Sequence, residues 1–300
     1  VRRKASLAEL GEDGLLGILT GKWKSRSERV VVGTGDDCAV LRGSGRDHYL
    51  LFKTEAVVES VHFTVKTPAP AIGRKALARA LSDLAAMGAG PVAALITLGV
   101  TADESPVRLR GIYRGLESTA KKYGVELVGG ETTRARQLFL NIALLGECRG
   151  YEPVLRSGAR AGDSIFVTGR LGATQARHHL TFAPRLAEGQ WLARRKLASA
   201  LMDLSDGLAA DLPRLARASG VGFELQEKAI PRARGATLAN ALNDGEDYEL
   251  LFTVKPGRVE MLKKLWPFTT PLHCIGTMRS CRQGPSEPLF VHGFDHFKQR

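Results

Sequence analysis

The stretch "VVVGTGDDCAVL", residues 30–41, runs from an apolar segment through a Gly-Thr-Gly turn. It then sets Asp36 beside Asp37, where a strand should be entering or leaving a core. Gly and Asp are ordinary residues of tight turns, so a polar turn is one reading. The other is an acidic platform for cations, which requires acids elsewhere in the chain to reach the same place.

Acids do recur at the ends of elements. Strand-like runs at 29–32, 49–54, 92–100, 125–128, 138–145, 164–168 and 248–254 are interleaved irregularly with helical ones. The clearest helix is "ESPVRLRGIYRGLESTAKKYG", with Ser105 as N-cap, Pro106 in first position and Gly124 as its stop. A second, "IGRKALARALSDLAAMGAG", is rich in Ala and Leu and ends at Gly88. Glu55 and Glu59 lie in "LLFKTEAVVES", Asp83 in the Ala-rich helix, Glu131 in "LVGGETTRA", and Asp203 with Asp206 in "LMDLSDGLAADL".

Each has a plain structural explanation. Asp83 stands four residues from Arg79 and could be half of a surface ion pair worth about 0.3–0.5 kcal/mol. Asp206 or Ser205 could cap a helix. Convergence makes a sharper demand: two bare carboxylates about 4 Å apart repel by about 4 kcal/mol at an effective dielectric of about 20. Such a cluster must take up protons or hold cations, and Mg2+, with its preference for hard oxygen ligands and phosphates, is the natural candidate.

Composition narrows the function classes. The chain has 300 residues, 44% hydrophobic and 25% charged, ordinary for a globular protein with room for two domains. No apolar run approaches the roughly 20 residues of a membrane span, and "VRRKASLAEL" lacks a secretion-signal core, so the cytoplasm is expected. The 4 cysteines show neither CxxC pairing nor zinc-finger spacing and read as reduced structural thiols. A net charge of +12 invites nucleic acid, but the basic residues are scattered and aromatics are only 6%, so none is expected. No GxxxxGK[ST], HRD or DFG occurs, and GTGDDC lacks the third glycine of a dinucleotide fingerprint. Long strands separated by helices without regular βαβ spacing suggest an α+β fold. The Gly- and Pro-containing "CRGYEPVLRSGARAGD", residues 148–163, is the candidate boundary between two halves.

The ordered series "GTGDDCAVL", "TEAVVESVHF", "IGRKALARALSDLAAMGAGP", "LVGGETTRA", "RSGARAGDSIFVTGRLG", "DLSDGLAADLPRLARASGVG" and "GEDYELLF" closely resembles the thiamine-monophosphate kinase family. That family belongs to the aminoimidazole ribonucleotide synthetase-like ATP-binding superfamily. The resemblance runs through the terminal "GFDHF". It implies a two-domain α+β fold, with residues 1–148 forming an ATP- and metal-binding domain whose mixed sheet pairs across a homodimer. Residues 149–300 would form a second α+β domain completing the nucleotide and substrate site. The implied reaction transfers the γ-phosphoryl group of ATP directly to thiamine phosphate, giving thiamine diphosphate.

Carried over by position, the resemblance implies Mg2+ ligands at Asp37, Thr54, Glu55, Asp83, Glu131, Asp203 and Asp206. It implies nucleotide contacts at Tyr113, Gly130, Arg156 and Ser205, and substrate contacts at His62, Glu246 and Phe294. Read alone, His62 and Tyr113 are equally core residues. In-line phosphoryl transfer is mostly positioning and charge neutralisation, and the acceptor is already a phosphate, so no catalytic base is nominated.

The chain departs from the family pattern in three places of chemical weight. Glu55 and Glu131 stand where Asp is usual, and Lys53 where a hydroxyl is common. An ammonium there could replace a bound cation, since it brings positive charge and no acceptor lone pair. Asp244, where Gly is usual, is a smaller anomaly. Two alternatives follow: a family member that binds nucleotide or thiamine phosphate with impaired catalysis, or another ATP-using enzyme of the superfamily.

Overall fold

The computed structural model describes residues 6–172 and 178–281. The first part runs α1 (Leu7–Thr20), β1 (Val30–Val32), β2 (Ala39–Arg42), β3 (His48–Val58), α2 (Ala69–Ala86), β4 (Gly90–Val100), α3 (Pro106–Tyr123), β5 (Glu126–Arg134) and β6 (Phe139–Arg149). Its six strands form one sheet in the order β1-β2-β3-β6-β4-β5. Only β4 and β5 pair in parallel, and α3 is the crossover between them, as a parallel pair requires.

The second part runs β7 (Ser164–Thr168), α4 (His178–Thr181), α5 (Leu186–Arg194), β8 (Ala200–Asp203), α6 (Leu208–Ser219), β9 (Gly222–Leu225), α7 (Leu238–Asn243), β10 (Leu250–Val254), α8 (Val259–Leu265) and β11 (Leu272–Arg279). A five-stranded antiparallel sheet results, ordered β8-β10-β7-β11-β9. Residues 150–163 connect the two sheets. The architecture is α+β, as expected.

Helix α2 organises both parts. Ala and Leu cover it almost all round, and such a helix has to be buried; it packs on α3, β3 and β6 of the first part and on α5 and β8 of the second. Two glycines set its distance from α3. A Cβ on Gly73 would lie 1.9 Å from the carbonyl oxygen of Ile112, and one on Gly115 would lie 2.0 Å from that of Pro70. The helix begins at Ala69, ahead of the expected Ile72, because Pro68 and Pro70 suit a first turn that needs no amide donors.

The α3 limits match expectation, with Gly124 left-handed at its end, although Ser105 makes no side-chain capping bond. Pro213 lies inside α6 and does not start it. Strands β2, β8, β9 and β11 were not among the expected runs. All four residues of β8 are buried, so it lacks the alternation that marks a half-exposed strand. In β11 the register slips between Cys274 and Gly276, which breaks the alternation there.

Gly115→Ala forces a methyl group against the Pro70 carbonyl at the α2–α3 contact. The expected loss is about 1–3 kcal/mol of folding stability, measured by chemical denaturation. An unchanged midpoint would show that the two helices can separate freely.

Candidate active site

On α2, Lys75, Arg79 and Asp83 are spaced by four residues and share one face of the helix. On β3, alternation turns Lys53 and Glu55 to the same side of the sheet. The loop before β2 brings Asp37, and the end of β8 brings Asp203. All of these side chains except the sealed Lys75 line a cavity of about 830 Å³, within the size range of small-molecule sites.

At its floor, Asp37, Asp83 and Asp203 each offer a carboxylate oxygen within 4.8 Å of the other two, and all three residues are buried. Cations and hydroxyls brace them. Arg156 donates from Nε and Nη2 to the two oxygens of Asp37 at 3.1 and 2.6 Å, the bidentate fork that makes such pairs strong. Its main-chain N–H donates to Asp36 at 3.1 Å, so the opening doublet clasps the segment that joins the two sheets. Ser82 donates to Asp203 at 2.5 Å. Lys53 Nζ lies 2.9 Å from Asp83 and 3.5 Å from Glu55, and Arg79 holds Glu55 at 2.5 Å. Asp83 is therefore a buried member of the cluster and not half of a surface pair with Arg79.

The acids repel one another in low dielectric. Burial, reinforced by Asp37, pushes Asp203 up to about 7. Asp83 is pushed well above the carboxylate range by burial, with Asp203 adding to Glu55 and Asp37 against the pull of Lys53. Burial and Asp37 raise Asp36 to about 6. A hard divalent cation relieves the same repulsion that protonation relieves, and three clustered carboxylates are an oxygen donor set that fits it.

Asp206 and Ser205 line the cavity from the start of α6. Neither caps the helix: its N-cap is Gly207, without a side-chain bond. Instead Asp206 pairs with Arg214, and fully buried Asp211 accepts the main-chain N–H groups of Ser205 and Asp206, both at 3.0 Å. Burial and then Asp206 raise Asp211 to about 8.

At the other end, His62 and Glu246 face the same space. Lys75, 1% exposed, joins them by pairing with Glu246 at 2.6 Å and donating to the His62 carbonyl at 2.7 Å. Burial works to raise Glu246, but Lys75 and Arg79 outweigh it and hold the carboxyl below its usual range. Glu246 and Tyr248 both have left-handed backbone, φ 53° and 51°, a strain typical of residues whose placement serves a site.

Other expected residues lie elsewhere. Thr54 alternates to the opposite face of β3 from Glu55, and its hydroxyl donates to Asn141 at 2.8 Å. Through the pairs Ala56–Asn141, Asn141–Thr97 and Thr97–Glu131, Glu131 falls on that same outward face, where it is exposed. Gly130 is its neighbour on β5, and Tyr113 packs half-buried against the core on α3; neither lines the cavity. Glu59 pairs with Arg108. Phe294 lies outside the described residues.

Lys75 was missed in the sequence and Arg79 was read only as a surface partner for Asp83; Asp211 and Arg214 were missed as well. The signal for the first two was present: charges at every fourth position of an otherwise Ala- and Leu-rich helix mark a polar stripe with something to face. Asp211 and Arg214 carried no such mark within an amphipathic helix.

Residues 35–148 match the AIR synthase related protein N-terminal domain, and residues 166–264 match the C-terminal domain of the same family. A chain that joins these two domains around a buried acid cluster is of the AIR synthase related class. Over nearly its whole length it is 35% identical to thiamine-monophosphate kinase of Rhodopirellula baltica, covering 95% of this chain and 97% of that one. It is 33% identical to that of Escherichia coli (strain K12), covering 96% and 98%. Among solved structures, AaThiL complexed with AMPPCP and TMP superposes with a TM-score of 0.84 at 29% identity, covering 98% of this chain and 99% of that one. The chain belongs to the thiamine-monophosphate kinase family, whose members are ATP-dependent phosphotransferases.

A divalent cation at Asp83 and Asp203 would have to displace the protons that these carboxyls hold. Both groups are raised in the folded state, so without a cation their contribution to stability is present at low pH and is lost as pH rises, for Asp203 from about 4 through about 7. A divalent cation is thus expected to raise Tm more near pH 8 than near pH 5 in thermal melts. Equal shifts at both pH values would contradict this competition.

Proposed function

We propose that this chain transfers the γ-phosphoryl group of ATP to thiamine phosphate in a Mg2+-dependent reaction, giving thiamine diphosphate and ADP. The convergence of Asp37, Asp83 and Asp203 beneath a cavity lined by arginines carries the reading, with the kinship to thiamine-monophosphate kinases supplying the substrate.

In this reading Asp37, Asp83 and Asp203 would hold Mg2+, with Asp206 and Glu55 lining the same cavity. Bound Mg2+ neutralises and orients the phosphate oxygens of the nucleotide. Arg156 uses two of its donors on Asp37, and a guanidinium carries five N–H groups, so others remain for a phosphate. Ser205 contributes at the nucleotide. His62 and Glu246 take the thiamine phosphate, with Glu246 offering a carboxylate to a cationic ring; Phe294 is proposed beside them. A phosphate oxygen of the acceptor forms the new bond to the γ-phosphorus as the bond to ADP breaks, and the acceptor needs no protein base.

Thr54, Gly130, Glu131 and Tyr113 are assigned to the same chemistry in a homodimer. Thr54 and Glu131 share the outward sheet face with Phe52, Leu95 and Val128, which are 51%, 45% and 61% exposed. An apolar face of this kind marks an interaction surface, and we assign it to a second copy of the chain. Residues 1–148 then form the dimerising ATP- and metal-binding part, and residues 149–300 complete the site. No helix among the described residues is long and apolar enough to cross a membrane; we assign the chain to the cytoplasm.

With ATP, thiamine phosphate and Mg2+, the purified protein is expected to release ADP in a coupled assay, and a chelator is expected to stop it. ADP release that ignores thiamine phosphate would contradict the reading. Asp203→Asn should lower kcat by about 10²-fold, the scale for losing one transition-state charge stabiliser. Glu246→Gln should instead act mainly on KM for thiamine phosphate, as steady-state kinetics with each substrate varied would show.

A further inference from the structure

Asp83 belongs to two groups at once. With Asp37 and Asp203 it forms the carboxylate trio; with Glu55 it flanks the ammonium of Lys53, whose Nζ is 2.9 Å from Asp83 and 3.5 Å from Glu55. The charges of the two groups differ. The trio sets three carboxylates against the guanidinium of Arg156 and a Lys53 ammonium that Asp83 shares with Glu55, and so keeps a surplus of negative charge for a divalent cation. Glu55 is already neutralised from both sides, by Lys53 at 3.5 Å and Arg79 at 2.5 Å.

We propose that the Lys53 ammonium is a tethered cation that fills the Asp83–Glu55 half of the acid cluster, so that this half takes no divalent ion while the Asp37–Asp83–Asp203 half does. Lys53 is then a positioning and charge-balancing residue built into the chain in place of a dissociable metal. Two carboxylates, Asp83 and Glu55, lie within 3.5 Å of its Nζ and balance its charge. An ammonium has three donors and no lone pair. Lys53 Nζ lies within ion-pair distance of Asp83 and Glu55, and the residue also lines the cavity, where it can donate to a phosphate oxygen. Mg2+ binds oxygen at about 2.0–2.1 Å, so it cannot share this pair of carboxylates with an ammonium already seated between them.

The inference rests on the kinase reading for the nucleotide, and the test separates the two. Bound Mn2+ is counted by electron paramagnetic resonance in the presence of saturating β,γ-methylene ATP. Lys53→Ser should take up about one more Mn2+ ion per chain than the wild type, and Lys53→Arg should match the wild type. Lys53→Gln, neutral and of similar length, should show the same gain and supplies the count if the serine variant does not fold. Wild-type binding of nucleotide and Mn2+ with no gain in either neutral variant overturns the role of Lys53 alone. A wild type that binds neither overturns the kinase reading and this inference together.

Discussion

Three carboxylates held together out of water are the constraint on which the rest of the structure depends. Asp37, Asp83 and Asp203 come from a turn, a helix and a strand end, and they meet only because α2 is buried between the two sheets. Uncompensated, they would oppose folding. The structure answers with Arg156, Lys53 and Ser82 around the trio and leaves one demand, for a proton or a divalent cation. A site that stabilises itself fully would have no affinity left for a metal and the phosphates it carries.

The same logic organises the neighbourhood. The cations at and behind the cavity wall are themselves held by acids: Arg214 by Asp206 and Asp211, Arg79 by Glu55, and the sealed Lys75 by Glu246. Ligand phosphates therefore enter a network whose ion pairs are already oriented, and binding can exchange partners within it. Glu246 and Tyr248 accept left-handed backbone to complete that network.

Much of this was legible in the sequence. The doublet at Asp36 and Asp37 proved to be more than a turn, because Arg156 reaches both its members. Asp83 and Asp203 could be named from motif order, but their meeting could not be read from spacing, since it depends on how α2 crosses β8. Strand alternation, applied strictly, would have separated Thr54 from Glu55. Lys75 escaped notice because a lysine on an apolar helix reads as a solvated end, whereas here it is sealed in against Glu246. Strand β8 was hidden by complete burial, which erases the period of two.

The most direct measurement is anomalous diffraction from crystals grown with a non-hydrolysable ATP analogue and Mn2+. The account predicts an anomalous peak coordinated by Asp37, Asp83 and Asp203, adjoining the nucleotide phosphates. Ordered nucleotide in the cavity with no peak at those three carboxylates would contradict it.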